Sequence, residues 1–173
     1  MVARVLYDKG YTEYVEAART IRREHPEAEF CLLGAIDKVY PKHVPEEVIK
    51  KDDAEGAIRY LGYVSNVRPV MQVADCIVLP SYHEGLSRVL IEALAMGKPI
   101  IASDIPGCRE TVEEGRNGYL VPARNIEKLA SAFQRFLSLS LEERKEMGRY
   151  GRMKAEREFD VKDVISVYRR ITG

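Results

Sequence analysis

Short runs of apolar residues alternate with amphipathic segments along most of the chain. The apolar runs lie at 29–34, 58–62, 76–80, 99–102 and 118–121, and each is bounded by glycine, proline or polar residues. Runs of this kind are typical of strands that helices cover on both faces. Residues 1–5 are predicted to be the last part of a further strand.

Helical periodicity fills the segments between these strands. One helix is predicted to begin near Thr12, and others at 45–51, at Asn66 and after Asn125. The helix after Asn125 has apolar residues at i, i+3 and i+4 spacing, which is typical of a helix that buries one face. Strands that alternate with helices predict an α/β fold with a Rossmann-like parallel sheet and helices on both faces.

The segment 138–173 breaks this alternation. Ser140-Leu141-Glu142-Glu143 is a predicted capping box that opens one helix, and Asp160 is placed to cap another. Two consecutive helices without an intervening strand are expected to extend the sheet domain. We therefore predict a domain at 1–137 and a C-terminal helical extension at 138–173. Because the sequence begins within what is predicted to be the last part of a strand, we expect this chain to be a piece of a longer protein.

Composition and charge narrow the range of functions. The 173 residues include 27 Lys and Arg against 27 Asp and Glu, so the formal net charge is zero. No nucleic-acid partner is expected, because nucleic-acid binders normally carry a basic excess. The three cysteines are widely spaced, and no cluster of His, Cys or Asp has the spacing of metal ligands. We expect reduced thiols, no metal and a cytoplasmic location.

Two glutamates flank the junction between an apolar run and the next helix. Glu84 lies in a short loop with Gly85 after the run at 76–80, and the helix is predicted to begin near Leu86. Open α/β sheets bind ligands at the carboxyl ends of their strands. At about 1.5 Å per residue, Glu84 and Glu92 are predicted roughly 12 Å apart along the helix axis. This separation suits the two ends of a nucleotide sugar.

The chain resembles the family-4 (GT4) retaining glycosyltransferases in several segments. These are ARVLYDKG at 3–10, YLGY at 60–63, ADCIVLPS at 74–81, GKPIIASD at 97–104 and GRNGYLVP at 115–122, together with the spaced glutamates. The resemblance covers nearly the whole chain, in order, and matches only the C-terminal, donor-binding half of a GT-B enzyme. It implies that the N-terminal Rossmann-like acceptor domain is absent from this chain.

The resemblance implies a reaction as well as a fold. A hexose or N-acetylhexosamine would be transferred from a nucleotide diphosphate sugar to a saccharide or lipid-linked saccharide, with retention of configuration. No metal or other cofactor is implied, so cations and helix ends must stabilise the charge on the departing diphosphate. The segments 81–88 and 106–110 look like those of transferases that act on lipid-linked oligosaccharides, which favours a UDP-sugar. Such enzymes often lie at the inner face of the cell membrane.

The same resemblance implies the catalytic residues. Arg4 and Lys9 match the two basic residues that bind the diphosphate, and Glu84 matches the glutamate that orients the donor sugar. Arg4 and Lys9 also have an ordinary interpretation, because most lysine and arginine side chains are simply solvated cations.

The remaining donor-binding residues follow from the same match. Gly85, Leu86 and Ser87 match the helix start whose backbone N–H groups face sugar and phosphate. Glu92 matches the carboxylate that accepts hydrogen bonds from the ribose, although an exposed helix glutamate is the plain alternative. Tyr63 would flank the nucleobase, with simple packing as its equal alternative.

Several neighbouring residues and two other functions stay open. His83 adjoins Glu84 and is either a donor contact or an exposed loop histidine. After the strand-end turn at 104–107, Glu110 is expected either to hold the helix start that follows the turn or to contact the ligand. A GT-B-fold nucleotide-sugar epimerase would share the architecture and the donor. A non-enzymatic nucleotide-binding α/β module would share the architecture alone.

Overall fold

The computed structural model describes residues 1–160, which form an alternating α/β domain. In chain order these residues contain a 3-10 turn at Tyr7–Lys9, α1 (Tyr11–Arg22), β1 (Cys31–Leu32), α2 (Glu46–Ala54), β2 (Arg59–Tyr60), α3 (Arg68–Val73), β3 (Ile77–Leu79), α4 (Arg88–Ala95), β4 (Ile100–Ser103), β5 (Gly118–Val121), α5 (Ile126–Leu137) and α6 (Leu141–Glu158). This order confirms the predicted α/β class. The helix predicted after Asp160 lies outside the described residues.

Every strand pair in the described residues is parallel. β1 pairs with β2, while β3, β4 and β5 form a second ladder in that order. The observed strands match the predicted runs but most are shorter, because the backbone leaves the ladder after two to four residues. Only 118–121 coincides with its prediction.

The amino-terminal segment differs from the strand predicted at 1–5. It forms a single parallel bridge, from Val2 to Leu33. Two hydrogen bonds carry the pairing further, from the N–H of Ala3 to the oxygen of Leu33 and from the N–H of Val5 to that of Ala35, at 3.0 and 2.9 Å. The segment is therefore paired with the backbone around β1 without forming a full strand.

The core has two layers, one on each face of the strands. Ile101 packs into the cluster with Tyr14 and Phe133, which belong to α1 and α5. Its neighbour Ile100 packs into the other cluster, with Leu90 and Leu94 of α4. Successive strand residues point to opposite faces, so one strand supplies both layers. Helices therefore cover both faces, as the sequence predicts.

Local signals set most helix starts. The side chain of Asn125 accepts a hydrogen bond from the N–H of Lys128 at 2.9 Å and caps α5 as predicted. α3 begins at Arg68 rather than at the predicted Asn66. The side chain of Asn66 accepts a hydrogen bond from the N–H of Arg68, and this bond holds Asn66 in the turn that precedes the helix. α2 runs over Glu46–Ala54 and is longer than the predicted 45–51.

Helix α6 begins with the predicted capping box and packs against α4. The N–H of Ser140 donates to the Glu143 carboxylate at 2.7 Å, and the N–H of Glu143 donates to Ser140 Oγ at 3.3 Å. Farther along, Ala155 is buried in the cluster that contains Leu94 of α4. The ammonium of Lys154 is buried and donates a hydrogen bond of 3.1 Å to Glu113, which lies outside α6. Both apolar packing and an ion pair thus hold α6 to the sheet domain.

Replacement of Ser140 by alanine should destabilise the domain by about 1 kcal/mol, since the first turn of α6 loses its capping acceptor. Urea unfolding monitored by circular dichroism measures this change. Ser131→Ala is the matched control, because Ser131 is exposed within α5 and alanine is the better helix former. Equal losses from the two variants would mean that the capping box contributes nothing.

Candidate functional site

The turn at Asp8–Gly10 lies directly against the loop that follows β3. The N–H of Tyr82 donates to the carbonyl oxygen of Asp8 at 2.9 Å, and Ser81 Oγ donates to the same oxygen at 3.3 Å. Gly10 has φ 77°, and a Cβ at this position would lie 2.1 Å from the carbonyl oxygen of Pro80. Only glycine allows this approach, which brings Lys9 to the carboxyl end of β3.

Lys9 and Glu84 form an ion pair in this contact. Lys9 Nζ lies 2.7 Å from Glu84 Oε1, and the two side chains are 20% and 14% exposed. A charge pair with so little solvent access interacts more strongly than one at the surface. The structure therefore brings together two residues that the sequence analysis places on one ligand.

The turn after β4 packs against the other side of the loop that follows β3. Gly107 has φ 84°, and a Cβ there would lie 1.6 Å from the carbonyl oxygen of Gly85. The N–H of Ser87 donates to the Gly107 oxygen at 3.4 Å. The loop that carries Glu84 is thus held between two glycine-containing turns.

Glu110 holds the second of these turns. Its carboxylate accepts a hydrogen bond from the N–H of Gly107 at 2.6 Å. Residues 106–111 form turns rather than the helix that the sequence predicts there, and the Glu110 side chain holds the first of these turns. This bond fixes the turn that packs against Gly85.

Cys108 lies buried beside these charged groups. Burial, together with the nearby carboxylates of Glu84 and Glu110, raises the pKa of its thiol to about 12. The thiol is protonated at neutral pH and carries no charge into the site.

Helix α4 begins two residues later than predicted. Leu86 is 54% exposed in the loop, and Ser87, with an extended backbone, is the residue before the first helical residue Arg88. The hydrogen bond from Ser87 to the turn at Gly107 keeps Gly85–Ser87 out of the helix. No side chain caps this helix start, so its first N–H groups and its partial positive charge face the loop.

Glu92 lies on the exposed side of α4, in its second turn. It lies four residues beyond Arg88, which is about 6 Å along the axis at 1.5 Å per residue. The predicted 12 Å counts helical rise from Glu84, but residues 84–87 lie outside the helix, so Glu92 lies only about one turn into α4. Within residues 1–160 no hydrogen bond or ion pair occupies its carboxylate.

Within the described residues, neither Arg4 nor Tyr63 forms a hydrogen bond or ion pair with Lys9 or Glu84. The guanidinium of Arg4 contacts Asp37 at 3.1 Å and lies 5.4 Å from the ring centre of Tyr40. Its side chain is 54% exposed, so this ion pair contributes only about 0–1 kcal/mol. Tyr63, which is 71% exposed, follows the carboxyl end of β2.

Tyr82 and Glu13 form a second polar contact beside the site, and the sequence analysis does not predict it. The hydroxyl of Tyr82 donates to both oxygens of the buried Glu13 carboxylate, at 2.7 and 2.9 Å. The guanidinium of Arg124 lies 4.4 Å from the centre of the Tyr82 ring. Burial and the bond to Glu13 raise the pKa of Tyr82, which stays neutral. Glu13 lies in the predicted first helix, and the sequence around it does not distinguish a buried glutamate from an ordinary solvated one.

The part of the chain that the structure describes holds no group of three His, Cys, Asp or Glu side chains placed to bind a metal ion. In the same residues, no helix has both the length and the apolar character that a membrane crossing requires.

Residues 1–154 match the protein family described as Glycosyl transferases group 1. The chain is 34% identical over 145 residues to the N,N'-diacetylbacillosaminyl-diphospho-undecaprenol alpha-1,3-N-acetylgalactosaminyltransferase of Campylobacter jejuni, a match that spans 84% of this chain and 35% of that protein. Across the curated relatives it matches, the chain spans about a third to a half of their length.

Solved glycosyltransferase structures have the same fold. The pneumococcal O-GlcNAc transferase GtfA, solved with UDP and GlcNAc, superposes with a TM-score of 0.79 at 25% identity, over 98% of this chain and 34% of that one. Sucrose-phosphate synthase of Thermosynechococcus elongatus superposes with a TM-score of 0.81 at 26% identity, over 98% and 45%.

Replacement of Gly107 by alanine should destabilise the domain by at least about 3 kcal/mol, because a left-handed backbone and an overlap with the Gly85 oxygen act together. Gly115→Ala is the matched control, since Gly115 has φ 74° and no atom within 4 Å of a new Cβ. Gly115→Ala should destabilise the domain by only about 1–2 kcal/mol, which is the cost of a left-handed backbone for a residue with a Cβ. Similar urea midpoints for the two variants would contradict the close packing of the two loops.

Proposed function

The chain belongs to the family of group 1 glycosyl transferases, and we propose that it is the donor-binding half of a GT-B glycosyltransferase of family 4. The full enzyme transfers a hexose or N-acetylhexosamine from a UDP-sugar to a saccharide or lipid-linked saccharide, with retention of configuration. The observation that carries this proposal is the Lys9–Glu84 pair, 2.7 Å apart at the carboxyl end of β3 and beside the uncapped start of α4.

The diphosphate binds where positive charge is already concentrated. Lys9 supplies an ammonium, and the first N–H groups of α4 supply the donors and partial charge of a helix end. Arg4 can leave its exposed contact with Asp37 at little energetic cost and add a guanidinium to the phosphate oxygens. These groups stabilise the negative charge that grows on the departing diphosphate as the bond to the sugar breaks.

Glu84 has two tasks in this scheme. Its Oε1 accepts from Lys9 and holds the ammonium in place before the donor arrives. The described structure gives Oε2 no protein donor, and a carboxylate oxygen accepts hydrogen bonds from sugar hydroxyls. One carboxylate thus orients both the cation and the donor sugar.

The nucleoside lies along the other side of α4. Glu92, exposed and without a partner in residues 1–160, accepts hydrogen bonds from the ribose hydroxyls, a common role for a carboxylate near a nucleotide. Gly85, Leu86 and Ser87 lie between Glu84 and the helix, where their backbone faces sugar and phosphate. Tyr63 flanks the base from the carboxyl end of β2.

The rest of the enzyme supplies the acceptor. We assign nucleotide-sugar binding to residues 1–137, the helical extension to 138–173, and acceptor binding to an N-terminal Rossmann-like domain. The relative from Campylobacter jejuni is named for a diphospho-undecaprenol substrate, which supports a lipid-linked acceptor and a peripheral position at the cytoplasmic face of the membrane. GtfA was solved with UDP, which supports a UDP-sugar.

Calorimetric titration of UDP, GDP and ADP into this chain tests the nucleotide site. We expect UDP to bind best, and Lys9→Met to weaken UDP binding about tenfold or more, because a charge-assisted hydrogen bond contributes about 1.5–3 kcal/mol. Lys128→Met is the control, since Lys128 is exposed in the first turn of α5. Equal affinities for all three nucleotides, or equal effects of the two variants, would overturn the assignment.

The ribose contact has its own test. Glu92→Gln should weaken UDP binding about tenfold and should have a smaller effect on 2′-deoxy-UDP, because that ligand lacks one of the hydroxyls that the carboxylate accepts from. Glu127→Gln, an exposed glutamate in α5, is the control. The same loss with both ligands would remove Glu92 from the ribose site.

A further inference from the structure

Two side-chain connections join the start of α1 to the loop at 80–87, which we call the Glu84 loop. The first is the Lys9–Glu84 pair, with 2.7 Å between Nζ and Oε1. In the second, the Tyr82 hydroxyl lies 2.7 and 2.9 Å from the two oxygens of the Glu13 carboxylate. The two connections use neighbouring parts of the same helix start and the same loop, so each one constrains the other.

Glu13 has few alternatives to this contact. It is only 7% exposed, and in residues 1–160 the Tyr82 hydroxyl is its one side-chain hydrogen-bond donor. A buried carboxylate is costly unless hydrogen bonds or positive charge compensate it. Glu13 lies in the first turn of α1, where the helix end supplies partial positive charge. Movement of the Tyr82 ring would nevertheless leave the carboxylate buried without a side-chain donor, so the ring is held in place.

The backbone of Tyr82 is fixed as well. Its N–H donates to the carbonyl oxygen of Asp8 at 2.9 Å, and Asp8 directly precedes Lys9. The N–H and the hydroxyl lie at opposite ends of the residue, and their partners lie in two successive parts of the chain. Tyr82 therefore connects the Glu84 loop to the turn that carries Lys9 at one end and to α1 at the other.

The ring of Tyr82 also contacts Arg124, which lies just before α5. The guanidinium lies 4.4 Å from the centre of the ring, a distance at which a cation is attracted to an aromatic face. Arg124 has φ 60° and is the one residue other than glycine with a positive φ among residues 1–160. Strain of this kind persists only where the surrounding structure fixes the residue. The Tyr82 ring is thus held from α1 and from the start of α5.

The same set of contacts surrounds a second tyrosine, at the opposite edge of the strands. Tyr150 of α6 donates to the Glu113 carboxylate at 2.6 Å, and the guanidinium of Arg116 lies 4.3 Å from the centre of its ring. Glu113 and Arg116 precede β5 at the amino edge, whereas the candidate functional site lies at the carboxyl edge. Tyr150 is therefore a reference for what such contacts contribute to stability away from the site.

We propose that Tyr82 is a positioning residue of the nucleotide-sugar site. Through its ring and its hydroxyl it fixes the Glu84 loop, and so it holds Glu84 against Lys9 before the ligand arrives. The inference rests on the proposed function, because it concerns the same site. Tyr82 acts through Glu84 rather than on the ligand, and its effect on binding comes from the entropy that a fixed loop does not lose.

Tyr82→Phe and Tyr150→Phe are matched variants, since each removes one hydroxyl that donates to a carboxylate beside an arginine-covered ring. Both should lower Tm by roughly 3–8 °C, because each carboxylate loses that donor. In calorimetric titrations, Tyr82→Phe should weaken UDP binding about fivefold, and Tyr150→Phe should leave it unchanged. Equal affinities of the two variants for UDP would overturn the proposal.

A double variant separates positioning from stability. Glu13→Met combined with Tyr82→Phe replaces both partners by apolar side chains, which removes the unpaired buried carboxylate. Tm should return to within roughly 2 °C of the unchanged chain. UDP binding should stay about fivefold weaker, because an apolar contact has no preferred direction and does not fix the loop. Recovery of the affinity together with Tm would show that the contact is structural alone, and would refute a positioning role.

A double-mutant cycle with Glu84→Gln tests whether Tyr82 acts through Glu84. Tyr82→Phe should have little further effect on UDP binding once Glu84 is replaced, because the residue that it positions no longer carries its charge. Effects of the two substitutions that simply add would contradict the proposed route through Glu84.

Amide exchange in the unliganded chain keeps this inference distinct from the proposed function. The N–H at position 82 is bonded to Asp8, and that of Ser87 is bonded to Gly107. Both should exchange about tenfold faster in the double variant than in the unchanged chain, and at the unchanged rate in Tyr150→Phe. Unchanged exchange in the double variant would overturn the positioning role whatever UDP does. Faster exchange, with no UDP binding to the unchanged chain, would refute the proposed function and support the positioning of the loop.

Discussion

The candidate site depends on the close approach of three backbone loops at the carboxyl edge of the strands. Gly10 lies against the Pro80 oxygen and Gly107 lies against the Gly85 oxygen, at distances that leave no room for a Cβ. The loop after β3 is therefore held on both sides. Its fixed position is what places Glu84 at 2.7 Å from Lys9 and directs the start of α4 toward the same space. A binding site that is rigid before its ligand arrives loses little entropy on binding.

The charges around this site fall into two classes that differ in solvent access. The Lys9–Glu84 pair is largely shielded, and the hydrogen bond from Gly107 to Glu110 fixes the turn beside it. The Arg4–Asp37 pair is exposed and contributes little to stability. The shielded pair thus defines a fixed centre, while the exposed arginine is able to change partners. A fixed pair beside an exchangeable arginine suits the diphosphate site that we propose, because such a site must bind its ligand and then release it.

The two edges of the strands have different roles. The carboxyl edge carries the polar loops, as is general for open α/β sheets. At the amino edge lies a cavity of about 800 Å³ that is lined mainly by apolar residues.

The sequence by itself determined the elements and the residues of interest, because these depend on local patterns. Apolar runs located the strands, Asn125 and Ser140 marked their helix starts, and the motif around Glu84 marked the candidate loop. Only the tertiary structure decided which groups meet. The ion pair of Lys9 with Glu84, the bond from Gly107 to Glu110 and the burial of Glu13 under Tyr82 join residues whose partners are chosen by packing. The late start of α4 has the same origin, since a backbone bond to a distant turn overrides a local helical pattern.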